Sequence, residues 1–187
     1  MLPAITFALA AGPYDFLSTF YPCELEIDGQ RYHSVEHYYQ CEKFHHTEEP
    51  PDAATQAYYA LLLACDTNMK AVCLGCRQAH RFAGGWYVTR QLRERGSIRA
   101  LVDQYRHTAQ RVPEWHAKNR AVMRRANEIK FRDPVLAARL RATGTAPLRY
   151  HQPSSRFWAH PGENQLGAIL MALRQTLLDS AAASGPS

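Results

Sequence analysis

Glu36, Gln40 and Lys43 stand four and three residues apart in the stretch SVEHYYQCEKF at positions 34–44. At 3.6 residues per turn, this spacing puts a carboxylate, an amide and an amine on one face of a helix, while Val35, Tyr38, Cys41 and Glu42 fall elsewhere. With Tyr39 and Phe44 alongside, those groups can sit in a poorly solvated cleft. There a carboxylate's pKa rises and a lysine's falls, toward values that suit proton transfer or nucleophilic attack. An amphipathic helix that shows its Glu and Lys to solvent carries the same pattern, so spacing alone leaves both readings open.

The elements that must hold this helix are legible around it. Ser34 offers a capping oxygen, and Glu36 falls in the first turn, where the helix dipole favours an anion. Ahead of it Cys23, Leu25 and Ile27 alternate with Glu24 and Glu26 up to Asp28-Gly29, a strong hairpin signal. The rest reads as mainly helical: 53–64, 68–82 and, after a break at Gly84-Gly85, a long helical region over 89–111. Pro113-Glu114 suits the first turn of a helix reaching Phe131, with Trp115, Val122, Met123, Ala126 and Ile129 as its apolar positions. Asp133-Pro134 starts another in the order cap then proline, carrying Val135, Leu136 and Leu140 to a stop at Thr143-Gly144. A last helix over 163–178 repeats Leu166, Ile169, Leu170, Leu173 and Leu177 at helical spacing, and 181–187 reads as a flexible tail. The expected fold is α+β and predominantly α-helical, one domain over 1–180 with a small β-hairpin near the N-terminus.

A chain of 187 residues can bury a substantial core, and its 46% hydrophobic content describes a globular protein. No apolar run is long enough to span a bilayer, and the opening MLPAITFALAAGPYDF lacks a basic leader, so a cytoplasmic location and no membrane partner are expected. Five cysteines at irregular spacing (Cys23, Cys41, Cys65, Cys73 and Cys76) suit reduced thiols. Cys73 and Cys76 with Cys65 and His80 could supply four zinc ligands, or could be helix-packing thiols; the second reading is preferred and neither metal nor cofactor is expected. His45-His46 suits a solvated turn better than a metal or proton-transfer site. The net charge of +5 concentrates in basic residues between Arg90 and Arg141, which fits either a solvated helix face or a field for phosphate-bearing partners.

Beyond the helix, an ordered series of motifs resembles the YbiA-like, or NADAR, family. Phe16-Leu17-Ser18-Thr19-Phe20-Tyr21-Pro22 is similar to that family's F-S-N-F-x-P opening, and SVEHYYQCEKF to its S/T-x-E-H-Y-F-Q-x-x-K-F signature. Further blocks follow in family order: Trp115 to Met123, Lys130-Phe131-Arg132-Asp133-Pro134, Thr143-Gly144, Phe157-Trp158, and Asn164 to Arg174. The resemblance implies an N-glycosidase. Two activities come with it: hydrolysis of the N-ribosidic bond in phosphorylated ribosylaminopyrimidine intermediates of riboflavin synthesis, and removal of ADP-ribose from guanine in nucleic acid. A phosphorylated N-ribosyl small molecule is then the expected partner, with nucleic acid the alternative. A non-catalytic binder of ribosylated ligands, and a role in specialised metabolism, are the other readings.

Carried over position by position, the resemblance makes Glu36 and Lys43 the candidate catalytic pair. Glu36 would act on a water or face the cationic sugar; Lys43 would hold phosphate or attack the anomeric carbon of a ring-opened sugar to form a Schiff base. Phe20, Tyr39, Gln40, Arg77, Trp115, Trp158 and Asn164 are the candidate substrate contacts. Trp115 and Trp158 are also readable as core tryptophans, Asn164 as a helix cap, and Arg77 and Arg174 as bridging or surface arginines. Three positions depart from the family pattern: Thr19 replaces the asparagine of the opening motif, Ser155 an acid, and Ala159 the glycine of a W-G pair.

Overall fold

The computed structural model describes residues 2–8, 12–76, 100, 103–105 and 107–183. Among them the strands are β1 (Ile5–Phe7), β2 (Leu25–Ile27), β3 (Gln30–Tyr32) and β4 (Leu148–Tyr150). The helices are α1 (Val35–Glu42), α2 (Ala53–Leu63), α3 (Asn68–Cys76), α4 (Trp115–Lys130), α5 (Pro134–Ala142) and α6 (Gln165–Ala183), with a short 3₁₀ turn at Asp15–Leu17. The α+β, mainly helical class is as expected. By backbone proximity the chain forms two compact units, Met1–Val35 with Arg120–Ser187, and Glu36–Asn119. Helices α1 and α4 each cross the division.

In the first unit, Asp28 and Gly29 both take positive φ, 53° and 76°. That is the backbone of a two-residue turn whose twist matches the paired strands. β2 and β3 pair antiparallel with Leu25 opposite Tyr32, and Leu25 and Ile27 are buried while Glu26 is exposed. Arg125 on α4 donates to Asp28 Oδ1 at 2.7 Å and steadies the turn from outside.

β1 and β4 form a parallel pair, Ile5 opposite Leu148 and Phe7 opposite Tyr150, that sequence reading did not mark. Each strand is three residues long, too short for alternation to be visible. Asn164 secures β4 with both ends of its amide: Oδ1 accepts from Tyr150 N–H at 3.0 Å, and Nδ2 donates to Leu148 O at 2.9 Å. The side chain thus neither caps α6 nor stands ready for a ligand; it holds a strand. Gly167, one turn on, lets α6 come this close, since a Cβ there would overlap Leu148 O and the Asn164 amide.

α5 begins as its sequence implies. Asp133 accepts from the N–H groups of Val135 and Leu136, both at 2.9 Å, and Pro134 follows the cap. Leu136 and Leu140 are buried, but Val135 points outward and is 66% exposed. At the other end Arg174 donates to Thr143 Oγ1 at 2.8 Å and Ala146 O at 2.9 Å. This enclosed guanidinium ties α6 to the chain after α5, so of its readings as a bridging or a surface arginine, the bridge is the one observed. α6 itself runs through 181–183, which the sequence places in the tail.

In the second unit, Asp52 caps α2 by accepting from Thr55 N–H at 2.7 Å, and Tyr58 donates to Leu74 O at 2.7 Å, joining α2 to α3. The long helix expected over 89–111 does not reach its end: residues 107–112 are turn, bend and irregular chain, and most of the remainder of that span lies outside the described residues. Pro113 disfavours helix at Val112, and the freed backbone is used elsewhere. Gln110 N–H donates to Thr55 Oγ1 at 2.8 Å, and Val112 N–H to Lys43 O at 2.9 Å. Helix α4 accordingly starts at Trp115, two residues after the expected Pro113, with Glu114 at φ 53° just before it.

Lys130 is enclosed in the first unit. Its ammonium donates to Ser18 O at 2.7 Å and lies 5.2 Å from the Tyr21 ring centroid and 5.3 Å from that of Phe131. Burial pulls its pKa down to about 8, with Cys23 and Asp15 opposing and Arg139 adding to the fall. Above that value the folded lysine has lost a proton that the unfolded one still holds, so stability rises with pH until the unfolded lysine titrates near 10.5. Relative to Lys130→Met, the wild-type unfolding free energy is expected to gain up to about 3 kcal/mol across this window. Urea denaturation at a series of pH values measures it, and a difference flat in pH would contradict the assignment.

Candidate active site

α1 turns the spacing of its three polar residues into a continuous chain of hydrogen bonds. Gln40 Nε2 donates to Glu36 Oε1 at 2.6 Å, and Lys43 Nζ donates to Gln40 Oε1 at 2.6 Å. Only this orientation of the amide serves both neighbours, since the carboxylate needs a donor and the ammonium an acceptor. The face is not solvated. Gln40 is 2% exposed and Lys43 6%, while Glu36 is only partly covered. The chain therefore runs inward, from a carboxylate near solvent to an amine deep in the unit.

Around the amine the contacts are weak acceptors. Among the described residues, Cys76 Sγ lies 3.5 Å from Lys43 Nζ and 3.8 Å from Gln40 Oε1, and the Tyr39 ring centroid is 5.1 Å from Nζ. Burial drives the Lys43 pKa below its usual value; the nearby Cys76 and Glu36 oppose the fall, and the Arg111 cation reinforces it. Tyr39 in turn packs against Trp115, ring centroids 5.2 Å apart, so Trp115 is a mostly buried wall behind the tyrosine.

Two further residues complete the arrangement. Gly75 on α3 faces Gln40 so closely that a Cβ would overlap the Gln40 side chain, including its Oε1. Arg111 donates from Nη2 to Gly75 O at 3.0 Å, in the non-helical segment whose next residue bonds Lys43 O. Glycine in a helix and arginine in a basic stretch carry no signal by type, and only the contacts single them out.

The other candidate residues lie in the first unit, apart from Arg77, which lies outside the described residues. Phe20 is partly buried, its N–H donating to Ser18 Oγ at 3.1 Å. Trp158 is partly buried and meets Phe157 edge-on at 4.8 Å. Ser155 accepts from Trp158 N–H at 3.2 Å and shapes that turn. Ala159 and Thr19 are buried. Gly162 closes the loop, where a Cβ would overlap Arg156 O.

His80 of the suggested zinc set also lies outside the described residues, and among the described ones no group of three or more His, Cys, Asp or Glu could hold a metal. Cys65 Sγ donates to Leu61 O at 3.4 Å, whereas Cys76 faces Lys43. His45 contacts Glu42 Oε1 at 2.9 Å and stacks on Tyr59, and His46 Nε2 donates to Gln110 O at 3.1 Å. Both histidines have structural employment.

The contact at Gly75 generates a sharp expectation. Gly75→Ala must push Gln40 aside, at the overpacking cost of about 1–3 kcal/mol, and in doing so breaks the chain between Glu36 and Lys43. Thermal denaturation should show the loss. The double variant Gly75→Ala/Gln40→Ala should recover much of it, because the obstructing side chain is gone. An additive second loss would sink the proposed contact.

Comparison with known proteins bears on what this arrangement serves. The chain is 28% identical over 173 residues to a riboflavin biosynthesis protein of Vibrio vulnificus, a match covering 90% of this chain but 37% of that protein. It is 24% identical over 177 residues to the N-glycosidase YbiA of Shigella boydii, covering 92% of this chain and 88% of that one. The NMR structure of the E. coli protein YbiA superimposes with a TM-score of 0.66 at 22% identity, over 97% of this chain and 90% of the other, and so shares the fold. Among the described residues no helix is long and apolar enough to cross a membrane. Residues 6–178 match the NADAR domain, nearly the whole chain, and the protein belongs to the NADAR domain family.

Proposed function

We propose that this protein is an N-glycosidase that hydrolyses the N-ribosidic bond of a phosphorylated ribosylaminopyrimidine or a closely related N-ribosyl compound. The buried Glu36–Gln40–Lys43 chain is the observation that carries the proposal. Membership of the NADAR family supports it, as do two relatives, one described as an N-glycosidase and the other as a riboflavin biosynthesis protein.

Breaking an N-glycosidic bond leaves positive charge on the sugar and negative charge on the departing nitrogen. Glu36, at the more open end of the chain, supplies an anion for the oxocarbenium-like centre or a base for the attacking water. Gln40 fixes the carboxylate by donating to it, and by accepting from Lys43 it prevents the amine from collapsing directly onto Glu36 as an ion pair. Lys43, its pKa lowered by burial, has a larger neutral fraction than a surface lysine. In a ring-opened N-riboside C1 is an imine to the base nitrogen; a neutral amine can add there, the geminal diamine expels the base as its free amine and leaves a Schiff base on Lys43, and water then releases the sugar and returns the amine. Tyr39, backed by Trp115, shields the amine from solvent.

Three substrates offered in parallel test the reading: a phosphorylated ribosylaminopyrimidine, ADP-ribosylated guanine in DNA, and the same adduct in RNA. Ribose phosphate released from the first supports the proposal; ADP-ribose released from the others would move the assignment to nucleic acid repair, and saturable binding without turnover would mean a sensor. Glu36→Gln is expected to lower kcat by about 10²-fold or more, the usual worth of a positioned acid–base group. Wild-type rates in the folded variant would remove Glu36 from the mechanism.

The covalent step has its own readout. Borohydride added during turnover reduces a Schiff base to a stable amine, so peptide mass analysis should find Lys43 carrying the sugar. An unmodified Lys43 peptide at full turnover would leave the lysine an electrostatic role only.

A further inference from the structure

Arg111 is an exposed cation beside the buried chain, and the structure accounts for its position from several sides. Its Nη2 donates to Gly75 O, at the glycine that packs on Gln40. The residue after Gly75 is Cys76, whose Sγ touches Lys43 Nζ, and the residue after Arg111 is Val112, whose N–H bonds Lys43 O. Two chain neighbours therefore tie Arg111 to the site, one through α3 and one through α1. Among the described residues the guanidinium is held to the unit by one N–H, and the rest of its five donors are left for another group. Its backbone segment, 107–112, is the stretch that abandons helical geometry.

We infer that Arg111 is the phosphate-binding residue of this site, its guanidinium clasping the phosphoryl oxygens of a ribose-phosphate substrate while Glu36 and Lys43 face the anomeric carbon. This rests on the N-ribosyl reading above. A planar guanidinium anchored through one nitrogen presents its remaining edge as a fork, the geometry that grips two oxygens of one phosphate. The anchor matters, because a side chain already fixed gives up little further freedom on binding. Charge also matters here. Arg111 and Lys43 repel one another, and a bound dianion between them relieves that repulsion.

The test is calorimetric and needs no turnover. Wild-type protein is titrated with ribose 5-phosphate, with ADP-ribose and with ribose, and the titrations are repeated on Arg111→Gln and Arg111→Lys. The wild type is expected to prefer ribose 5-phosphate over ribose, and Arg111→Gln to collapse that preference by about tenfold or more, the worth of a charge-assisted fork. Arg111→Lys, which keeps the charge and loses the fork, should fall between. Affinity for ADP-ribose that drops in parallel would assign Arg111 to a diphosphate; a drop confined to ribose 5-phosphate assigns it to a terminal monophosphate. An intact preference in a folded Arg111→Gln, or no preference in the wild type, overturns the assignment. Hydrolysis of an N-ribosyl substrate that ignores its phosphate would leave the N-glycosidase reading standing while removing this one. Binding with the expected preference but without hydrolysis would do the reverse.

Discussion

Keeping an amine in a place where water cannot reach it is the constraint on which the second unit is built. Lys43 is nearly enclosed, and an isolated ammonium there would pay a heavy desolvation penalty. The surroundings answer with a graded set of acceptors: the Gln40 amide, the Cys76 sulfur and the face of Tyr39. None is a full charge at contact distance, so the penalty is reduced without being cancelled. The residual penalty appears as the lowered pKa of the amine.

Much of the surrounding structure follows from that requirement. Gln40 can face Lys43 only if it is kept turned inward, and α3 keeps it there by presenting Gly75, where any side chain would collide with it. The chain over 107–112 cannot stay helical and also supply Val112 N–H to Lys43 O, so it runs as turn, bend and irregular chain to reach α1 and α2. Pro113 makes that departure inexpensive by already disfavouring helix at Val112. Trp115 then opens α4 against Tyr39 and closes the aromatic side of the amine. Gly75 and the Pro113–Trp115 stretch are far apart in the sequence and converge on one side chain.

What could be read beforehand divides along the same line. Local chemistry was legible: the Asp28-Gly29 turn, the Asp133-Pro134 start of α5 and the shared face of Glu36, Gln40 and Lys43 all follow from backbone preferences within a few residues. Contacts that close over long separations were not. The β1–β4 pair joins residues more than a hundred positions apart in strands too short to show a period, and the burial of α1's polar face depends on α3, which periodicity within α1 cannot foresee. Arg111 belongs to this second class, since its role is defined by Gly75 O and by its neighbour's bond to Lys43 O. Asn164 and Arg174 show the converse. Their residue types suggest ligand contacts, yet each has a backbone or hydroxyl partner that the fold requires.

The two buried lysines separate structural from chemical use of the same side chain. Both are almost fully enclosed, and burial lowers the pKa of both. Lys130 donates a hydrogen bond to Ser18 O, a backbone carbonyl that cannot move without unfolding its turn, and it lies near the rings of Tyr21 and Phe131. An amine so held has no geometry left for an incoming electrophile. Lys43 instead meets a side-chain amide and a thiol, both able to rotate away, on a helix whose next polar group outward is the partly exposed Glu36. Desolvation alone therefore does not distinguish a reactive lysine from a clamp. The distinction lies in whether its partners are backbone or side chain, and in whether a polar path leads from the amine toward solvent.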